Sequence, residues 1–408
     1  MIMIIIINKK DRWNLMAKYF FSSSFLLFLG NWIGQVGLNW FVLTTYHNAV
    51  YLGLVNFCRL IPILLLSVWA GSIADKYDKG LLLRITITSS FIITALLCLL
   101  TYSLNSIPIF IILLYATFRG ILSAVETPVR QAVLPDLSSK ISTTQAVSFH
   151  SFIINICRSI GPAIAGGLIA VYHTPTTFLA QAVCYFIAAV LCIPIHFEVI
   201  LSQKEGKALP LKVVLNYFKS NLEGSQIFIT SIIIMATGFS YTTVLPVLTN
   251  HIFPGQSQVF GIAMTFCAIG GIVATIVLPS ILKHLSTVKM YYLSSILFGI
   301  ALLGIIIHHL VVMFICITLI GLFSQWARTT NRVYFQHSVK DCDRGKVLSI
   351  IMMDRGMIPL GSLIMSFFAD MFGILTTFTI MGISTISISI IFYIIQRISN
   401  MEESNNES

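Results

Sequence analysis

The segment Gly71-Ser-Ile-Ala-Asp-Lys-Tyr-Asp-Lys-Gly-Leu-Leu-Leu-Arg84 interrupts the first long apolar part of the chain. Apolar runs long enough to cross a bilayer lie on both sides of it. The segment combines charges of both signs with glycine, which is typical of the hinge-like loops that join two spanning helices in transporters. It therefore predicts two membrane-spanning helices joined by a polar loop.

The composition extends this prediction to the whole chain. Its 408 residues are 57% hydrophobic and only 10% charged, with a mean hydropathy of +0.90, whereas a soluble domain carries about 25% charged residues. Most of the surface must therefore face lipid. A spanning helix needs about 20 apolar residues, so we predict an all-α integral membrane protein with 12 transmembrane helices. The apolar runs lie near residues 19–46, 50–72, 81–103, 107–127, 143–172, 176–197, 225–250, 257–282, 289–308, 311–330, 347–371 and 374–397.

Lysine and arginine are concentrated in alternate loops. The loops near residues 47–48, 105–106, 173–174, 254–255, 308–309 and 373 contain neither residue. The loops between them are basic, which is the positive-inside pattern and places both termini in the cytoplasm. The net charge of +10 therefore indicates membrane orientation and contact with anionic lipid headgroups rather than nucleic-acid binding.

The longest polar interruption, residues 198–224, divides the twelve runs into six and six. Weak self-similarity supports a duplication: Arg158–Pro162 matches Arg355–Pro359 as Arg-x-x-x-Pro, and Gly120–Ser123 matches Gly321–Ser324 as Gly-x-x-Ser. Two pseudo-symmetric bundles of this kind are typical of secondary transporters. We therefore predict an N-terminal six-helix bundle at 1–197, a cytoplasmic linker at 198–224, a C-terminal six-helix bundle at 225–397 and a cytoplasmic tail at 398–408.

Arginines lie deep inside the apolar runs, at Arg59, Arg119 and Arg158. Each buried charge costs at least about 2.5–3.5 kcal/mol, so it is retained where it faces a wet cavity or a partner. Because arginine stays charged and forks onto carboxylates, a cavity with two arginines favours an anionic cargo. The predicted substrate-binding residues are Arg119, Arg158, Asn31, Gln35 and Asn155. For any single polar residue, helix–helix hydrogen bonding without transport is the alternative.

Proton coupling requires a group that changes its charge. Glu126 and Asp354 are the predicted proton-coupling carboxylates, because burial can bring such a group into the physiological range, and His150 is a further candidate. The alternative is a structural ion pair, Glu126 with Arg130 or Asp354 with Arg355.

A conformational gate is predicted from the polar segment and from the small residues of the fifth and eleventh runs. Its cations can pair with Glu126 or Asp136, and a proline kinks a helix while glycines allow another helix to approach. The alternatives are a solvated loop and ordinary helix packing. The predicted gate residues are Gly71, Asp75, Lys76, Asp78, Lys79, Arg84, Arg130, Asp136, Gly161, Pro162, Gly166, Gly167, Arg355 and Pro359.

No enzyme, metal or cofactor site is predicted. The eight cysteines are scattered without C-x-x-C spacing, so they are expected to be free apolar side chains. The sequence contains no phosphate-binding P-loop and no H-E-x-x-H motif. A non-transporting sensor or scaffold is a further alternative, but it would not need buried arginines.

These motifs resemble those of the major facilitator superfamily. Gly71–Arg84 is similar to its signature between helices 2 and 3, with Asp78 in place of the commoner glycine. Gly161–Gly167 resembles the end of the helix 5 signature of antiporters, although Cys157 stands where an earlier glycine is expected. Arg119 resembles the arginine of the helix 4 signature.

Three further stretches resemble the branch that holds the enterobactin exporter and the macrolide efflux pumps. They are Gly30–Ile33, Glu126–Asp136, and Asp343–Val347 together with Pro359–Ser362. The resemblance implies a monomeric exporter in the plasma membrane of a bacterium, which moves an anionic siderophore outward by alternating access in exchange for protons. A multidrug or macrolide pump is the alternative, which the aromatic content of 12% also permits. Asn31 stands where this branch often has an aspartate.

Overall fold

The computed structural model describes residues 9–104, 107–137, 143–195, 211–339, 351, 354 and 356–406. Within these residues all regular structure is helical. The helices are α1 (Lys9–Tyr46), α2 (Ala49–Lys76), α3 (Lys79–Ser103), α4 (Ile109–Val133), α5 (Thr143–Tyr172), α6 (Pro175–Cys192), α7 (Leu211–Ser220), α8 (Leu222–Thr237), α9 (Tyr241–Ile252), α10 (Ser257–Ile281), α11 (Thr287–Gly304), α12 (Leu310–Ser338), α13 (Met357–Phe372) and α14 (Ile374–Asn406). A 3₁₀ turn, Pro135–Leu137, follows α4.

Eleven helical segments of the described residues are long and apolar enough to cross a membrane, and α8 and α9 together form one of them. The shorter apolar helix α13 corresponds to the predicted eleventh run, of which residues 347–350 lie outside the described part. The prediction of an all-α membrane protein with about twelve spans is therefore confirmed.

Contacts divide the chain into two units. Unit 1 contains Met1–Thr45 and Cys58–Gly206, and unit 2 contains Tyr46–Phe57 and Lys207–Ser408. The first turns of α2 are thus assigned to unit 2, whereas a division at a single point in the sequence would place all of α2 in the N-terminal bundle. Part of the predicted linker is helical, because it contains α7, and α14 continues through most of the predicted tail.

The polar segment that opened the sequence is almost entirely helical, so the prediction of a loop there was too long. Only Tyr77 and Asp78 separate α2 from α3. The Asp78 carboxylate accepts hydrogen bonds from the backbone N–H groups of Gly80 at 3.0 Å and Leu81 at 3.1 Å. An aspartate in this position satisfies N–H groups that lack helical partners, which allows α3 to begin immediately after the turn.

Glycines bring α1 close to α6 in unit 1. A Cβ atom on Gly34 would lie 1.9 Å from the Gln181 side-chain oxygen, and one on Gly37 would lie 1.9 Å from the Thr177 hydroxyl. Polar side chains of α6 therefore occupy the space that side chains at these two positions of α1 would fill. This close approach is typical of membrane helices, in which small residues let neighbours pack tightly.

The seventh predicted run contains a break between α8 and α9. Gly238 and Ser240 lie at this break, and a Cβ atom on Gly238 would lie 2.7 Å from the Phe298 ring. The Ser240 hydroxyl donates to the Ala236 carbonyl at 2.7 Å, which satisfies a backbone acceptor near the break. Because the residues on both sides of the break are equally apolar, the hydropathy pattern did not predict this interruption.

Candidate functional site

Arg119 on α4 is the centre of a buried polar network in unit 1, and only 4% of it is exposed. Its guanidinium donates to the hydroxyls of Ser90 and Tyr185, each at 2.8 Å, and to Asn31 Oδ1 at 3.4 Å. These partners lie on α3, α6 and α1, and all of them are uncharged. The Tyr185 hydroxyl also accepts from Gln181 Nε2 at 2.9 Å. The network holds the arginine without neutralising its charge.

A cavity of about 60 Å³ lies beside this network. Arg59 and Arg119 both line it, together with Asn31, Gln35 and Gln181. Among the described residues that line it, none carries a carboxylate. The site is therefore small, polar and doubly cationic, which suits the anionic end of a molecule rather than a whole large cargo.

Gly120 allows α2 to approach α4 at this cavity. A Cβ atom there would lie 2.4 Å from the Arg59 carbonyl oxygen and 3.0 Å from Pro62 Cγ. No side chain fits at that distance, because the nearest atom belongs to the backbone. The glycine next to Arg119 therefore brings the backbone of Arg59 to the same place.

The structure brings together only part of the predicted substrate-binding set. Asn31, Gln35 and Arg119 line the cavity, whereas Asn155 and Arg158 are half-buried on α5 and do not line it. Arg59 takes the place in the cavity that the prediction gave to Arg158. The sequence signal for Arg59 was its depth inside the second apolar run.

Glu126 and Arg130 form a buried ion pair one helical turn apart, with 2.9 Å between Arg130 Nε and Glu126 Oε1. Their exposed fractions are 3% and 1%. Arg130 also donates to the Ser24 hydroxyl of α1 at 2.6 Å and lies over the Phe20 ring. The structural Glu126–Arg130 ion pair, which was the alternative to proton coupling, is thus present in the structure.

Asp354 lies in a separate buried cluster of unit 2. Its Oδ2 atom accepts from the Ser231 hydroxyl at 2.7 Å and from Asn331 Nδ2 at 3.4 Å. Asn331 Nδ2 also donates to the Ser231 hydroxyl at 2.9 Å. The proposed alternative partner, Arg355, lies outside the described residues.

A third carboxylate, Glu223, was missed by the sequence analysis. It accepts from the Tyr334 hydroxyl at 3.0 Å and from the Gln396 side-chain amide, which join α8 to α12 and α14. The only signal in the sequence was an acidic residue in the first turn of α8.

The cations of the polar segment bind the ends of neighbouring helices. Lys79 Nζ donates to the Ala132 carbonyl of α4 at 3.1 Å, and Arg84 donates to the Ile193 carbonyl after α6 at 3.3 Å. Arg84 also lies 3.6 Å from the Asp78 carboxylate. Cations favour helix C-termini, where carbonyl groups lack partners. Glu126, which these cations were expected to bind, is paired with Arg130 instead.

Several gate residues fall outside what the structure describes. Gly71, Asp75 and Lys76 lie within α2, but their side chains are not described, and neither is that of Asp136 in the 3₁₀ turn. Arg355 is not described at all.

The small residues of α5 differ in their surroundings. A Cβ atom on Gly161 would lie 2.6 Å from Trp32 Cβ, so this glycine allows α1 to approach, whereas one on Gly167 would meet nothing within 4 Å. Gly166 is buried and Pro162 lies inside the helix. Pro359, its predicted counterpart, lies in the first turn of α13, where a missing N–H group costs nothing.

The described cysteines are all free. No group of histidine, cysteine, aspartate or glutamate residues suited to holding a metal ion occurs among the described residues.

Many apolar spans around buried polar clusters define a multi-pass membrane transporter. The sequence model of the family described as transmembrane secretion effector matches residues 15–408. The chain therefore belongs to this family of the major facilitator superfamily.

Similar proteins agree with this assignment. The chain is 75% identical over 394 residues to a staphyloferrin A transporter of Staphylococcus aureus, covering 96% of this chain and 99% of the relative. It is 20% identical to macrolide efflux protein A of Streptococcus pyogenes, covering 97% and 99%. Within this branch, the resemblance alone favoured staphyloferrin B as the cargo, whereas the relative at 75% identity is a staphyloferrin A transporter.

Solved transporters share the fold. The nucleoside transporter NupG matches with a TM-score of 0.71 and 16% identity, covering 93% of this chain and 98% of its own. A bacterial homologue of the human lysosomal transporter Spinster, in an inward-facing and unoccupied conformation, matches with a TM-score of 0.72 and 12% identity, covering 95% and 96%. These likenesses show the fold, and the family match together with the relative at 75% identity makes the chain a transporter and not an enzyme.

Proposed function

We propose that this protein exports an anionic, carboxylate-type siderophore from the bacterial cytoplasm by alternating access. The observation that carries the proposal is the cavity at Arg119, which is cationic and has no carboxylate in its lining. The relative at 75% identity transports staphyloferrin A, so that siderophore is the first cargo to test. Arg158 and Asn155 on α5 are proposed as further cargo contacts.

The export direction is tested in a strain that lacks the gene. We expect siderophore to accumulate inside these cells and to fall outside them by at least about tenfold, and wild-type protein to restore secretion. Mass spectrometry of cell extracts and medium measures both amounts. Equal amounts of siderophore outside mutant and wild-type cells would contradict export, provided that the strain makes no second exporter for the same compound. A siderophore-synthesis mutant fed with labelled siderophore is the control for a second exporter.

Proton antiport is proposed to drive the export, with Glu126 and Asp354 as proton carriers. Glu126 alternates between its ion pair with Arg130 and a protonated form, and Asp354 does the same within its cluster with Ser231 and Asn331. Charges that are buried in a transporter and can be neutralised by a proton are typical of such relays.

Substitution of Glu126 tests this coupling. Glu126→Gln alone would leave the charge of Arg130 buried without a counter-charge, which costs about 3–5 kcal/mol, so the double variant Glu126→Gln/Arg130→Gln is preferred. We expect it to lose uphill export driven by a pH gradient in membrane vesicles and to retain exchange of labelled for unlabelled siderophore. Asp354→Asn should behave in the same way, and Asp370→Asn, at an exposed position, is the control. Undiminished uphill export in the double variant would remove Glu126 from the mechanism.

The orientation and the assembly follow from the sequence as proposals. We place both termini in the cytoplasm because the basic loops lie on their side of the membrane, where they also contact anionic lipid headgroups. The working unit is proposed to be a monomer, because each chain contains both bundles that alternating access requires.

Macrolide efflux is the second candidate, because macrolide efflux protein A is 20% identical across nearly the whole chain. A macrolide is bulky and often cationic, which does not suit two arginines. Macrolide resistance conferred by the gene, without any effect on siderophore secretion, would favour this candidate over the first.

A further inference from the structure

We propose that Arg59 is a specificity-determining residue of the cavity at Arg119. Together the two guanidiniums select a cargo whose end group carries two carboxylates over one whose end group carries a single carboxylate. This inference deepens the proposed export of an anionic molecule and rests on it, but its test uses binding and not transport.

Two like charges, those of Arg59 and Arg119, line one small cavity within unit 1. The Arg119 guanidinium donates three hydrogen bonds, all to neutral groups, whereas Arg59 has no hydrogen-bond or ion-pair partner among the residues that the structure describes. Charge repulsion grows as the surroundings become less polar, so an empty cavity with two positive charges is unfavourable. A ligand with two negative charges relieves this repulsion, and a ligand with one leaves a net positive charge.

Unit 2 shows that helix packing does not require these arginines. Gly321 on α12 makes the same kind of contact as Gly120, because a Cβ atom there would lie 1.9 Å from the carbonyl oxygen of Cys267 on α10. Cys267 therefore stands where unit 1 has Arg59, and Ile320 precedes the glycine as Arg119 does in unit 1. The same backbone contact forms with uncharged side chains, so the arginine pair serves another purpose.

The remaining lining favours a polar end group as well. Asn31 and Gln35 offer amide groups to the cavity, and the Gln181 side chain forms another wall. A volume of about 60 Å³ holds the carboxylated end of a molecule and leaves its body outside. Selectivity between one and two carboxylates is therefore expected to depend on the end group alone.

Binding of two matched small acids to the full-length protein in detergent tests the proposal. Succinate and butyrate have the same carbon chain and differ in one carboxylate. At ionic strength matched with sodium chloride, we expect succinate to compete with labelled siderophore at least about tenfold more strongly than butyrate. A tenfold difference in affinity corresponds to about 1.4 kcal/mol. In Arg59→Gln this preference should fall to about twofold or less. Lys283→Gln, which removes one exposed charge, should keep it.

An unchanged preference for succinate in Arg59→Gln would overturn the proposal. If Arg59→Gln does not elute as a single species in size-exclusion chromatography, Arg59→Met replaces it, because methionine removes the charge and keeps a long, unbranched side chain that adapts to its surroundings. If the siderophore itself does not bind the wild-type protein, thermal unfolding with each acid gives the same comparison. An Arg59-dependent succinate preference would then support this inference while the export function fails.

Discussion

Arg119→Ala is expected to abolish siderophore export in cells that contain wild-type amounts of the protein. The substitution removes the buried cation of the cavity and its three hydrogen bonds. Loss of one partner of a buried, hydrogen-bonded charge pair costs about 2–5 kcal/mol, which lowers cargo affinity by a few tens to a few thousand fold. Secreted siderophore measured by mass spectrometry, with the protein quantified in membranes, gives the result.

The fold should survive this substitution because two of the three hydrogen-bond partners of Arg119, Ser90 and Tyr185, each keep another hydrogen bond. Ser90 donates to the Thr86 carbonyl at 2.7 Å, and the Tyr185 hydroxyl still accepts from Gln181. Arg119→Lys keeps the charge but not the forked geometry, so it should export weakly. Arg158→Ala tests the other proposed arginine in the same assay, and full export by both alanine variants would refute an arginine-dependent cargo site.

Gly120→Ala is expected to destabilise the protein and to reduce export sharply. Its Cβ atom would lie 2.4 Å from the Arg59 carbonyl oxygen, which is backbone and cannot rotate away. Relief of the clash must move α2 away from α4, and overpacking of this kind costs about 1–3 kcal/mol. The same shift separates Arg59 from Arg119. Thermal unfolding in detergent and the secretion assay measure the two effects.

Gly167→Ala is the matched control for this variant. It adds the same methyl group to a glycine within a spanning helix, but at a position where nothing lies within 4 Å. Alanine also favours a helix over glycine by about 0.5–1 kcal/mol, so stability should be unchanged or slightly higher. Equal melting temperatures of the two variants would show that the α2–α4 contact is not tight.

Composition and hydropathy were sufficient for the class of protein and for the number of spans, because a bilayer requires long apolar segments wherever the chain crosses it. They were not sufficient for details that depend on capping or packing. The turn at Tyr77 and Asp78 is shorter than predicted because one carboxylate caps α3. The break between α8 and α9 lies among residues as apolar as their neighbours, so hydropathy carries no signal for it.

The candidate site was only partly predictable for a related reason. Helical spacing placed Arg119, Glu126 and Arg130 on one face of α4, and the structure has Arg119 and Arg130 both donating to α1. Spacing cannot tell which other helix faces that side. Arg158 was preferred because it continues a polar stripe with Asn155 along the fifth run, whereas the neighbour of Arg119 in the structure is set by the missing side chain of Gly120.

The same close glycine contact occurs in both units, at Gly120 and at Gly321, and it bears on how transporters of this kind acquire new substrates. Around Gly120 the wall is charged, and around Gly321 the corresponding positions are Cys267 and Ile320. In both places the backbones are too close for a Cβ atom, which would lie 2.4 Å and 1.9 Å from the facing carbonyl oxygen. Side chains beside the contact can therefore be exchanged without rebuilding the helices that hold them. One scaffold can thus present either a charged or an uncharged wall after a few substitutions, because the fixed glycine and not the side chains beside it sets how closely the helices approach.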